Sequence, residues 1–433
     1  MTLLCALVGM LPIGTNLGLL HLLWMLVSGR LLGSRGAVFA GLSDCGLPER
    51  AVRRAWAALG QGGWTSGQLL ARWAAAVQAE GQWQACRHGG YRPVAVDVTG
   101  FWRPRLRGCP TVHYHGTAGR ALPAIPLGLV AGVGSVGAQR LALPRAFVRA
   151  DPADPSPRAH ERRLVRAAVQ RCAADEVLVL DAGFGVALLQ EEGATRYVVR
   201  AAKNATFRRA TPPPYGGKGR PPTRGALVRP LPRTHKGRAI PATPPDRTVA
   251  WHEGEAVLRA EVWGELVRAD ADADSATFTA IAIHDPRHRE PLLLVTPLAL
   301  TPQQARACYR DRWPVEQLPL AAKQMLGASR QFVHAPETCQ RLPELALLAG
   351  AVLSYAAATT LAVPTGFWDR HPQPTPGRLR RLLAHAPFPP DFPLPVRLRE
   401  KASPTTHLPK GFFGQRRRQT DTSAPPPPLA DAA

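Results

Sequence analysis

Residues 176–185 read Glu-Val-Leu-Val-Leu-Asp-Ala-Gly-Phe-Gly, an aliphatic run that ends in a carboxylate, Asp181, and then turns on glycine. A run apolar at every position must be covered on both faces, the situation of a strand inside a sheet flanked by helices. Similar runs occur at 94–100, where Asp97 sits inside Val-Ala-Val-Asp-Val-Thr-Gly, at 111–117, at 122–136, at 196–200 and at 292–296. A helical pattern at 158–173, with Glu161 near its start, lies between them. Strands alternating with helices predict an α/β core. An aspartate ending such a strand has two readings: an N-cap or turn residue, or a ligand at the carboxyl edge of the sheet, where open α/β folds place their sites.

Thr301-Pro302 is a helix start, an N-cap followed by proline, and the helix it predicts carries Tyr309, Arg312, Glu316 and Lys323. At about 100° per residue these four fall at roughly 0°, 300°, 340° and 320°, on one stripe. A phenol, a guanidinium, a carboxylate and an ammonium then share a face, which suits metal-dependent phosphodiester chemistry: the carboxylate takes the ion and the cations take phosphate. A solvated face with Arg and Glu paired at i, i+4 is the plainer alternative. Pro314 fits a first helical turn, whereas Pro319 inside a helix removes a backbone bond at a cost of about 3 kcal/mol. The single-face argument is therefore weakest for Lys323.

The chain has 433 residues, 54 Lys and Arg against 31 Asp and Glu, and a formal charge of +23. That balance points to a polyanionic partner, nucleic acid first. Between Lys203 and Arg247 lie eleven basic residues and ten prolines, with Asp246 the lone acid, a segment suited to nucleic-acid contact or to a linker. Val249–Arg268 and Thr277–His284 follow as strands. The seven cysteines are scattered and form no Cys-x-x-Cys, so neither a disulfide framework nor a zinc site is indicated.

Residues 1–29 carry no charge, which raises a membrane reading. Pro12, Asn16, His21 and four glycines favour two short buried helices broken near Pro12–Gly14. Residues 48–60 predict an amphipathic helix, and Arg53, Arg54, Arg72 and Trp73 would put basic and aromatic groups on the surface of a helical N-terminal module. Residues 339–362 form an apolar helical run expected to pack on the sheet. Beyond 363 proline and arginine dominate, including Arg378, Arg380, Arg381, Arg416, Arg417 and Arg418, before the run Pro425–Pro428, and disorder is expected.

These residues together resemble the DDE transposases of bacterial insertion sequences, in the group with the YREK signature: Tyr, two residues, Arg, three, Glu, six, Lys. Tyr309, Arg312, Glu316 and Lys323 meet it without a gap. Val96-Asp97-Val98-Thr99 looks like the first catalytic strand, and Leu180-Asp181-Ala182-Gly183 like the second. Residues 292–297 look like the strand before the Glu helix, and 323–327 like the exit from it.

The resemblance implies an α/β, RNase H-like catalytic core (residues 91–204 and 276–362) interrupted by a basic, β-rich insertion (205–275). A helical N-terminal DNA-binding domain (1–90) and a largely disordered Pro/Arg-rich tail (363–433) flank it. It implies Asp97, Asp181 and Glu316 as catalytic ligands of two Mg²⁺, with Mn²⁺ able to substitute. Tyr309, Arg312 and Lys323 would hold DNA, and Trp251 or Trp263 would stack on an unpaired base. The implied partners are transposon terminal inverted repeats and target DNA, bound by a homodimer in the cytoplasm with no membrane expected. The alternatives are an inactive DNA-binding derivative, a nuclease that does not join strands, and a membrane-associated protein using residues 1–29.

Overall fold

A computed structural model describes residues 1–398 apart from 155, 218, 219, 221, 272–274, 365 and 385. The segment 399–433, with Arg416 to Arg418 and the proline run, lies outside the described residues.

The expected break at Pro12–Gly14 separates helix α1 (Thr2–Val8) from α2 (Thr15–Val27), nearly all of which is buried. Helices α3 (Glu49–Gln61) and α4 (Ser66–Glu80) pack around them. Gly18 allows α2 to approach α3 closely, since a Cβ there would stand 2.9 Å from that of Ala58. Residues 1–29 thus form two short helices inside a helical cluster. Arg53 and Arg72 are exposed, but Trp73 is a core residue at 1% exposure, contrary to the surface role expected for it.

Strands β1 (Arg92–Trp102), β2 (Arg120–Val136) and β3 (Gln139–Arg149) form an antiparallel meander. Helix α5 (Pro157–Arg171) leads to β4 (Glu176–Leu180), which pairs parallel with β1, and α6 (Val186–Glu191) leads to β5 (Tyr197–Arg200), parallel with β4. The order is β3-β2-β1-β4-β5.

Later strands extend the same sheet. The single strand expected over 249–268 is a hairpin, β6 (Arg247–Glu253) and β7 (Ala256–Arg268), turning at Gly254 with φ +63°. β7 pairs with β8 (Phe278–His284), β8 with β9 (Leu292–Thr296), and β9 with β5, all antiparallel. The result is a mixed sheet of thirteen strands among the described residues, an α/β fold. Trp263 is fully buried, its Nε1–H donating to Thr243 and Pro244 carbonyls, so it cannot stack on a base.

The helix expected through 301–323 is not continuous. Thr301 caps α7 (Pro302–Arg310) through a capping box with Gln304. A turn at 311–313 follows, then α8 (Pro314–Leu320), then one π turn at Ala321–Met325. Pro314 takes the first-turn position, and the ladder widens just after Pro319.

Helix α9 (Pro336–Thr359) lies beneath this segment, and Gly350 permits the contact, since a Cβ there would meet that of Ala321 at 3.1 Å. Among the described residues α9 is the one helix long and apolar enough to cross a membrane, yet 78% of its apolar window is buried within the fold. Leu19, Leu22, Leu127, Leu129, Leu345 and Leu348 belong to one apolar cluster, so the N-terminal helices, the sheet and α9 share a core.

Residues 363–398 depart in part from the expected disorder. Helix α10 (Pro376–Leu383) is capped by Thr375. Beyond it the Phe388 ring packs edge-on against His21, its N–H bonds the Cys45 carbonyl, and the Arg397 carbonyl accepts from buried Asn16 at 2.5 Å.

Arg149, at the end of β3, grips Glu344 of α9 with two bonds of 2.7 and 2.8 Å and also meets Glu337. Glu344 is 1% exposed. Glu344→Ala is expected to destabilise by about 2–3 kcal/mol, somewhat less than breaking a fully buried pair because Glu337 remains. Urea unfolding of the variant against wild type measures this.

Candidate active site

Successive side chains of β1 alternate between faces. Val94 and Val96 point into the core beneath α5, while Ala95 and Phe101 join the core beneath α8 and α9. Asp97 and Thr99 share the Ala95 face by the same alternation. On the neighbouring strand Val96 is level with Leu180, so Asp181 leaves the sheet beside Asp97. Each carboxylate is oriented by the next peptide: Val98 N–H donates to Asp97 Oδ1 at 2.9 Å, and Ala182 N–H to Asp181 Oδ1 at 2.8 Å.

The segment from α7 to the π turn brings the four signature residues to this edge in spite of its breaks. Tyr309 donates its hydroxyl to Asp181 Oδ1 at 3.0 Å. Arg312 Nη2 bonds Glu316 Oε1 at 2.5 Å and lies 3.7 Å from Asp181 Oδ2, and its Nη1 lies 4.0 Å from Asp97 Oδ2. Asp97, Asp181 and Glu316 therefore converge on one guanidinium, itself only 6% exposed. Lys323, carried round by the π turn, donates to Thr99 Oγ1 at 2.7 Å and sits over the rings of Phe101 and Trp102.

Burial pushes the Asp97 carboxyl up to about 6, opposed by the Arg312 guanidinium and reinforced by the charges of Glu316 and Asp181. Burial likewise pulls the Lys323 ammonium down to about 8, with Asp97 opposing. It also raises the Tyr309 phenol.

Two partners were not singled out from the sequence. Thr99 lies two residues beyond Asp97 on the same strand face, a signal available from alternation alone. Asp311, in the turn between α7 and α8, is buried and bonds His88 Nε2 at 2.6 Å and Arg140 Nη1 at 3.2 Å. Nothing local in the sequence announces those distant partners.

Three carboxylates offer the hard oxygen donors that Mg²⁺ and Mn²⁺ prefer. Among the described residues, however, no three His, Cys, Asp or Glu side chains are grouped closely enough to hold an ion. The cation at their centre is Arg312. The donor chemistry fits a divalent ion, and Arg312 occupies the place between the carboxylates.

Residues 47–257 match the family model described as DDE superfamily endonuclease. The matched span contains Asp97 and Asp181 and ends within β7, before Glu316. No curated protein matches the chain. The match supports a DDE transposase-type family, and with it a nuclease- or transposase-type function acting on DNA.

The raised Asp97 carboxyl makes a stability prediction for the metal-free protein. Its folded value, about 6, exceeds the ordinary 3.8, so charging it costs the folded state increasingly from about pH 4 and fully above pH 6. Asp97→Asn removes that cost. Discounted for partial exposure, the variant should be about 1–2 kcal/mol more stable than wild type at pH 8 and should lose the advantage below about pH 4. Denaturant titrations in EDTA at the two pH values check the sign.

Proposed function

We propose that the protein is a DNA transposase that cleaves transposon ends and joins the freed strands to target DNA, with an RNase H-like core and a YREK-type site. The observation that carries this reading is the convergence of Asp97, Asp181 and Glu316, from two strands and a helix far apart in sequence, on Arg312. The sheet order β3-β2-β1-β4-β5, a meander followed by two parallel strands, supports the core assignment.

Asp97, Asp181 and Glu316 would hold the divalent ions, two in this reading. When bound, such ions supply an activated oxygen nucleophile and stabilise the leaving oxygen of an in-line displacement. The chain's own residues do the rest. Tyr309 fixes the Asp181 carboxylate, and the Val98 and Ala182 N–H groups hold both aspartates in place. Lys323 offers a positive charge suited to phosphate at one end of the site, and Arg312 holds another at its centre, facing the carboxylates. The excess of basic residues draws DNA to the surface.

In this reading residues 1–90 contribute DNA contacts, 91–204 and 276–362 form the catalytic core, and 205–275 form the insertion that extends the sheet. Two copies pair the terminal inverted repeats.

The gene's own flanking DNA is the substrate for the test, incubated with purified protein and Mg²⁺ or Mn²⁺. Nicks should appear at two inverted sequences, followed by joined products. Glu316→Gln and Asp97→Asn should reduce cutting by at least about 10³-fold while leaving DNA affinity within a few-fold. Binding without cutting by the wild type would instead mark a DNA-binding derivative. Cutting without joining would mark a nuclease.

A further inference from the structure

Arg312 stands where its phosphate-binding role would not put it. Its guanidinium faces inward to three carboxylates, its Cζ lies 5.6 Å from the Tyr309 ring centre, and its Nε is buried without a hydrogen-bond partner. A buried donor with no acceptor is unfavourable, and it marks an arrangement that another partner can displace.

The backbone at this point is fixed. Arg312 N–H bonds the Tyr309 carbonyl at 3.1 Å, and the preceding residue, Asp311, is clamped by His88 and Arg140. Movement is therefore left to the side chain. Beside it lies a cavity of about 570 Å³ whose wall carries Arg140, Arg287, Arg306, Arg310 and Arg312 itself against the carboxylates Asp285 and Glu290. Arg140, Arg287, Arg306 and Arg310 are each paired with a carboxylate, but five guanidinium groups against two carboxylates in the wall leave an excess of positive charge that suits a phosphodiester, and Arg312 borders both that space and the carboxylates of the site.

We propose that Arg312 is a gate: it supplies the counter-charge of Asp97, Asp181 and Glu316 until a DNA phosphate draws it into the arginine-lined cavity, so that divalent cation and DNA bind cooperatively. The proposal rests on the metal-dependent DNA-cleaving reading above. It follows from electrostatics at close quarters. A dication and a guanidinium compete for the same three carboxylates, and a ligand that binds the displaced arginine favours the dication. By linkage the cation must favour DNA by the same factor.

Calorimetric titration of Ca²⁺, a hard oxygen-seeking cation, into the full chain tests this with binding alone as the readout. Wild type, Arg312→Ala and Arg312→Gln are compared with and without a duplex taken from the flanking DNA, and thermal melts confirm that each variant is folded. Without DNA, both variants should bind Ca²⁺ at least about tenfold more tightly than wild type. With saturating DNA, wild type should tighten by about tenfold and close the gap, while the variants change less than about threefold. Conversely, Ca²⁺ should tighten DNA binding by wild type and not by the variants. Equal Ca²⁺ affinities in all three proteins, or a gap that DNA leaves unchanged, would overturn the gate while leaving the metal site intact. Absence of Ca²⁺ binding from all three, or unaltered binding by Asp97→Asn, would overturn the metal-site reading itself and the gate with it.

Discussion

The parallel pairing of β1 with β4 is the constraint on which the site depends. Val96 level with Leu180 sets Asp97 and Asp181 side by side at the edge where both strands point. A slip of one residue would turn Asp97 into the core beneath α5. The register is held by apolar residues on both faces, Val94 and Val96 on one side and Ala95 and Phe101 on the other. Arg92, whose N–H bonds the Asp175 carbonyl and whose guanidinium reaches the Asp175 carboxylate at 2.7 Å, pins the start of the pair. Everything that reaches the aspartates from α7, α8 and the π turn is aimed at a platform already fixed.

Those helical pieces use their interruptions. A regular helix from Pro302 to Lys323 would carry all four signature side chains on a straight line. The observed path bends at 311–313 and widens at 321–325, and so follows the edge of the sheet from Asp181, through Arg312 and Glu316, to Thr99. Asp311 holds the bend from below, with His88 from the stretch before β1 and Arg140 from β3. The prolines that look like faults in a straight helix stand at the two places where the path changes direction.

Much of this was legible because it rests on local chemistry. The aliphatic run 176–180, the run 292–296, the Thr301-Pro302 cap and the break at Pro12–Gly14 each carry their own signal, and each formed as read. β3 did not declare itself. It contains Arg140, Pro144, Arg145 and Arg149, and those polar positions make sense only through partners elsewhere: Asp311, Glu176 and Glu344. Trp73 misled for a related reason, since a tryptophan beside an arginine reads as a surface residue until the packing that covers it is known, and Trp263, which the resemblance offered for base stacking, is likewise covered by packing. The likeness of the signature residues to a known family drew attention to four side chains that the fold gathers at one edge of the sheet. It gave no hint that one of them would occupy the centre of the carboxylates.

The contact between Asn16 and Arg397 spans 381 positions, and Phe388 closes over His21 in the same region. A chain made from its N-terminus must therefore hold α2 without this cover until nearly all of the described residues have been synthesised. The apolar face of α2 also waits for α9, and the helical segment does not complete its core before the sheet does. Such long-range closure slows folding. A product that stops short of residue 388 lacks the ring that covers His21 and Trp24, so its first helices stay partly open to water.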